Sequence, residues 1–94
     1  MRLDKFLKVS RLVKRRTLAK EVCDEGRVQV NGKTAKAGTD LRVGDEIRIR
    51  FGQKIVTVRV EKLQDSVRKE EAGNLFSLIR EETVSKQNDP QEQF

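Results

Sequence analysis

The hydrophobic period of this chain changes once, at Gly26-Arg27, and that change limits the fold more than any other feature. Before it, apolar residues fall at Leu3, Phe6, Leu7, Val9, Leu12 and Val13, then at Leu18, Ala19, Val22 and Cys23. Spacings of three and four belong to one face of a helix. After it, Val28 and Val30 alternate with Gln29, Ile47, Ile49 and Phe51 with Glu46, Arg48 and Arg50, and Val56, Val58 and Val60 with Thr57 and Arg59. That is the period of strands with one buried face. Helices followed by strands make an α+β domain: two short N-terminal helices packed on a small, mainly antiparallel sheet of about four to five strands, with a short C-terminal extension.

The first helix is expected from Asp4 to Ser10, with the Asp4 carboxylate capping free backbone N–H groups and complementing the positive end of the helix dipole. The second follows Lys14-Arg15-Arg16, turns Leu18 and Val22 toward the core, and stops at Gly26, which suits the left-handed position after a helix. Asn31-Gly32 is a preferred dipeptide for a tight hairpin turn, so a short strand should return from it. Ala37 to Asp45 has turn formers at both ends and no period, and reads as a connecting loop. Gly52-Gln53 turns the second hairpin. Beyond Lys62 the pattern weakens, and Leu75, Phe76, Leu78 and Ile79 have the spacing of one or two helical turns. Residues 85–94 are polar, contain the only proline, Pro90, and read as a disordered tail. The expected organisation is a domain over 1–62, an extension with a short helix over 63–84, and the tail over 85–94.

At 94 residues the chain has room for one small core. Charged residues are 38% of it and aromatics 4%, with no Trp, Tyr or His, so Val, Leu, Ile and four Phe must build that core. Without His the commonest general base and metal ligand is missing, and the single cysteine, Cys23, can form neither an internal disulfide nor a metal cluster. A protein with no enzymatic activity, no cofactor and no metal is expected. Arg2, Asp4, Lys5 and Lys8 interrupt any signal-peptide core, and no stretch approaches membrane-spanning length. Cytoplasmic residence without a membrane partner follows.

The net charge of +6 is unevenly distributed. Residues 1–20 hold eight basic groups against one acid, whereas residues 63–94 hold four against seven. Phosphate recognition favours arginine, whose planar fork binds phosphate bidentately. Arg11, Arg15, Arg16 and Lys20 cluster at the bend between the two helices, where the second helix also offers N-terminal N–H groups. Arg2 stands at the start of the first, and Lys33 follows the hairpin turn. Arg2, Arg11, Arg15, Arg16, Lys20 and Lys33 are therefore the candidate nucleic-acid-binding residues, with RNA the expected ligand, although composition alone does not separate RNA from DNA. Ordinary explanations compete. Arg2 and Arg16 could pair with Asp4 or Glu21, Lys5 and Lys8 could merely solvate a helix, and Asn31-Gly32 is needed by the turn itself. Cys23 has core spacing, and Glu70-Glu71 and Glu81-Glu82 read as solvated helix surface. The few Phe residues sit at core positions, so recognition of RNA shape and backbone fits better than base stacking.

The run Arg2-Leu3-Asp4-Lys5-Phe6-Leu7, the helix-opening Arg16, and Glu25-Gly26-Arg27-Val28-Gln29-Val30-Asn31-Gly32-Lys33 followed by Gly44-Asp45-Glu46-Ile47 resemble the S-four-type RNA-binding domain, or alpha-L motif, over roughly residues 1–62. This domain is often appended to pseudouridine synthases or tyrosyl-tRNA synthetases; no catalytic domain is expected here. A stand-alone copy with a short extension is similar to bacterial ribosome-associated quality-control factors and to related small heat-shock proteins. The resemblance implies a protein, monomeric off the ribosome, on the large ribosomal subunit obstructed by peptidyl-tRNA. It would contact large-subunit ribosomal RNA and tRNA and, with a tail-elongating factor, support template-free alanine addition to the stalled chain. It carries over most directly to Arg2 and Arg16. The tail is shorter and more acidic than in the heat-shock relatives. A heat-shock-type recycling or assembly factor, or a protein-interaction module docking through Leu75 to Ile79, are the alternatives.

Overall fold

The computed structural model describes residues 1–83. Two helices, α1 (Leu3–Val9) and α2 (Arg16–Asp24), precede β1 (Val28–Val30), β2 (Lys33–Thr34), β3 (Glu46–Phe51) and β4 (Lys54–Val60). A 3₁₀-helix over Lys69–Leu75 then leads into β5 (Phe76–Thr83). The five strands lie in the order β2-β1-β3-β4-β5, with every neighbouring pair antiparallel. The α+β architecture expected from the change of period is the one observed.

Alternation sets the layers. Val28, Ile47, Ile49, Val56, Val58 and Val60 are buried with Leu3, Phe6 and Leu7 of α1 and Ala19, Val22 and Cys23 of α2 in one core. Both helices therefore cover one face of the sheet, while Arg48, Arg50 and Arg59 stand exposed on the other. The hairpin turn has Asn31 at φ 53° and Gly32 at φ 85°, the left-handed pair that Asn-Gly supplies. Asn31 does more than turn the chain: its amide nitrogen donates to Asp45 Oδ1 at 3.1 Å and its amide oxygen accepts the Glu46 N–H at 3.0 Å.

Three expectations need correction. Asp4 caps α1 only in part. The first two N–H groups, on Leu3 and Asp4, donate to the carbonyls of Thr39 and Ala37 at 2.8 and 3.1 Å, so the 36–40 loop caps them and Asp4 Oδ1 takes only the third, that of Lys5, at 2.8 Å. Leu18 does not face the core: it is 46% exposed, because the nine-residue α2 buries only the stripe Ala19, Val22 and Cys23. The segment from Leu75 to Ile79 is not a helical turn. Leu75 ends the 3₁₀-helix, and Phe76 to Thr83 pair with β4 from Val60↔Phe76 to Lys54↔Thr83, with a bulge beside Val58. Apolar spacings of one, three and four suit a helix locally, but the open edge of β4 supplies backbone partners that a lone turn lacks. Glu81 and Glu82 accordingly sit on a strand, where Glu81 pairs with Lys54 at 2.9 Å. The expected disorder of 85–94 lies outside the described residues.

Candidate nucleic-acid interface

The carboxylate of Asp4, which only one helix N–H engages, organises the basic face. Its side chain is 4% exposed, sunk between α1 and α2 beside the buried Leu3, Phe6 and Leu7. A charge so placed must be paired and hydrogen-bonded. Oδ1 accepts the backbone N–H of Lys5 at 2.8 Å and lies 3.2 Å from Arg2 Nε. Oδ2 lies 3.4 Å from Arg2 Nη2 and 3.6 Å from Arg16 Nε. Two arginines far apart in sequence thus meet at one carboxylate, with side chains 56% and 51% exposed. The pairing raised as an ordinary explanation is real for Asp4, yet it leaves guanidinium nitrogens facing solvent. Pairing here orients the forks rather than hiding them.

The 36–40 loop completes the mount. Arg2 forms a β-bridge with Asp40, whose carboxylate accepts from the N-terminal ammonium at 2.9 Å. That hydrogen bond and the ammonium charge hold the Asp40 carboxyl below its ordinary value. The Arg2 guanidinium lies over Gly38, where an added Cβ would stand 3.9 Å from its Cζ and Nη2.

Of the other candidates, Arg15 precedes α2 and is exposed, and Lys20 is exposed one turn beyond Arg16. No side chain caps the start of α2. Arg11 is not brought to Asp4. It takes a left-handed φ of 63° after α1 and lines a separate groove with Lys8, Val9, Asp65, Ser66 and Val67. Lys33 stands on the edge strand β2, opposite Val30. Lys5 is tied to Asp65 at 3.1 Å. Cys23 is buried, and desolvation followed by the charges of Asp4 and Asp24 pushes its thiol up to about 11.

Sequence reasoning offered the Asp4 pairings only as an ordinary explanation and missed the burial that makes Asp4 an anchor. One signal was available: Asp4 falls within the apolar stripe Leu3, Phe6, Leu7, where a carboxylate has no reason to be unless cations meet it there.

A family model described as the S4 domain matches residues 1–47, covering α1, α2, the first hairpin and the start of β3. The RQC P-site tRNA stabilizing factor of Halalkalibacterium halodurans is 64% identical over 86 residues, which is 92% of this chain and 98% of that protein. The chain belongs to the S4 domain family and groups with these factors. The protein of the same name from Bacillus subtilis is 61% identical over 84 residues, covering 89% of this chain and 98% of its own length. The trimeric structure of Vibrio cholerae heat shock protein 15 superposes with a TM-score of 0.79 at 35% identity, over 84% of this chain and 81% of that one. Among the described residues, no helix is long and apolar enough to cross a membrane.

Proposed function

We propose that this chain is an RNA-binding factor of ribosome-associated quality control that stabilises tRNA in the P site of a large ribosomal subunit obstructed by peptidyl-tRNA. The observation that carries the reading is the arginine pair mounted on buried Asp4: two half-exposed forks held at fixed positions are suited to bidentate phosphate contacts. Arg2, Arg15, Arg16 and Lys20 form the gripping face toward ribosomal RNA and tRNA, with Arg11 and Lys33 as outlying contacts. The names of the two close relatives support the P-site role. By holding the tRNA, the chain supports template-free alanine addition by a tail-elongating factor in the cytoplasm. We assign it no bond-making step of its own, and its single cysteine, Cys23, is buried.

The test is co-sedimentation with purified large subunits carrying peptidyl-tRNA. Wild type should pellet with them, and Arg16→Ala should stay in the supernatant while still melting cooperatively, its melting temperature lowered by no more than a few degrees through loss of the Asp4 pair. Binding should fall with rising salt at a log-log slope of about −0.7 to −0.9 per phosphate contact. Salt-independent binding, or an Arg16→Ala variant that pellets like wild type, would refute the reading. A second reading, docking on a protein partner, is favoured by one observation: Leu78 is 59% exposed on β5. Leu78→Ser with intact RNA binding but lost alanine tailing would support that reading instead.

A further inference from the structure

The sheet has a second face, which α1 and α2 leave open. There Arg27, Gln29, Arg48, Arg50 and Ile55 line an open cleft of about 570 Å³ together with Glu25, Gly26 and Gly52. The register explains the grouping: Gln29 pairs with Arg48 across β1 and β3, and Arg50 with Ile55 across β3 and β4. Arg48 and Arg50 alternate with the buried Ile47 and Ile49, so the core on one face dictates where these guanidinium groups stand on the other. Being two residues apart on one strand, their Cα atoms are separated by about 6.6 Å, close to the spacing of successive phosphates along an RNA strand.

The cleft is positive and its arginines are only lightly committed. Arg27 Nε contacts Glu25 Oε1 at 3.0 Å, and Arg48 Nη2 contacts Glu82 Oε1 at 3.6 Å. Arg50 forms no ion pair among the described residues, its Nε donating to the Gly52 carbonyl at 3.2 Å. All three side chains are solvent-facing, and exposed pairs of this kind are easily exchanged for a stronger anion. Glu82, opposite the cleft residue Ile55, is shared with Arg80 at 3.7 Å, and farther along the same face Arg59 pairs with Glu46. Protein hot spots need large apolar anchors in dry pockets. This cleft offers only the half-buried Ile55.

We infer that this cleft is a second RNA-binding surface, which takes the sugar-phosphate backbone of one RNA segment while the Arg2 and Arg16 face holds another. Arg48 and Arg50 receive successive phosphates, Arg27 flanks them, and the Gln29 amide is placed for a ribose 2′-hydroxyl. The chain then bridges two RNA segments through opposite sides of one sheet. The inference rests on the reading of the chain as an RNA binder, so its test must separate the two surfaces.

Native mass spectrometry of the full chain with a short RNA hairpin counts bound RNA directly. Wild type should carry two hairpins. Arg16→Ala should carry one, Arg48→Gln/Arg50→Gln should carry one, and the combination none. The second binding event should weaken about tenfold in the cleft variant. Arg27→Gln, which lies outside the strands, gives a check that does not touch sheet pairing. A single hairpin lost with Arg16→Ala and untouched by Arg48→Gln/Arg50→Gln would overturn the cleft while leaving the proposed function standing. Loss of only the cleft-bound hairpin, with Arg16→Ala behaving like wild type, would uphold the cleft and refute the Asp4-mounted site. Preferential capture of a polyglutamate peptide by the cleft would overturn it in favour of a protein partner.

Discussion

Replacing Asp4 with asparagine separates two opposing ideas about the basic face. The substitution keeps size and one acceptor oxygen for the Lys5 N–H, but removes the charge that Arg2 and Arg16 share at 3.2 and 3.6 Å. If charge alone governed RNA affinity, deleting an acid beside the phosphate site would tighten binding. That gain is small: even at 4 Å in bulk water one pair of charges is worth about 1 kcal/mol, and salt screens it further. If the carboxylate instead holds the forks in place, RNA must immobilise two arginines that were previously fixed, at about 0.5–1.5 kcal/mol each. The ordering cost of about 1–3 kcal/mol matches or exceeds the electrostatic gain, leaving a net loss of up to about 2 kcal/mol, or up to roughly thirtyfold in affinity. Stability should fall as well. Both arginines are half exposed and can re-solvate, so about 1 kcal/mol, or about 4–8 °C in melting temperature, is expected. Fluorescence anisotropy with labelled RNA hairpin over a salt series gives the decisive reading. Affinity should drop while the salt slope is preserved, because no phosphate contact is deleted. Tighter binding by Asp4→Asn, or a slope reduced by a full contact, would refute the positioning argument.

Other outcomes follow from the same geometry. Phe6→Ala, at a fully buried site facing the sheet, should cost about 3–5 kcal/mol in urea unfolding, a large part of what a domain of this size has. Gly32→Ala meets no atom within 4 Å, so its cost of about 1 kcal/mol should come from the φ of 85° alone. Gly73→Ala, equally uncrowded but not left-handed, should be neutral or stabilising by about 0.4–1 kcal/mol, and equal melts for the two variants would contradict this. Cys23 gives a pH dependence of definite sign. Its pKa is raised from 9.0 to about 11 by folding, so the unfolded chain ionises first. The associated stability is complete below about pH 9 and lost as pH rises to about 11. Wild type should therefore lose melting temperature over that window faster than Cys23→Ala, and parallel curves would disprove it.

Legibility in the sequence followed the range of the interaction. The helices, the hairpin at Asn31-Gly32, the loop before Asp45 and the strands around Gly52 were all readable, because each is dictated by neighbours within one turn or one pleat. The gathering of Arg2 and Arg16 was only half readable: composition placed both in the basic segment, but the side of α2 that meets Asp4 depends on how the helices pack. Arg11 and Lys33 looked equivalent to them by charge and stand apart in space.

What the sequence determined by itself is the change of period and the excess of cations before Lys20, since side-chain spacing fixes which face of an element is apolar wherever that element comes to rest. The tertiary structure alone decided that the last apolar run becomes a strand, because its hydrogen-bond partners lie on β4, outside any local window. It decided equally that the acid beside Arg2 would be a buried anchor and cap no more than one helix N–H, because a loop more than thirty positions away supplied carbonyls for the first two. Period is a property of a segment, whereas pairing belongs to two segments at once. The basic face of this protein is built from pairings.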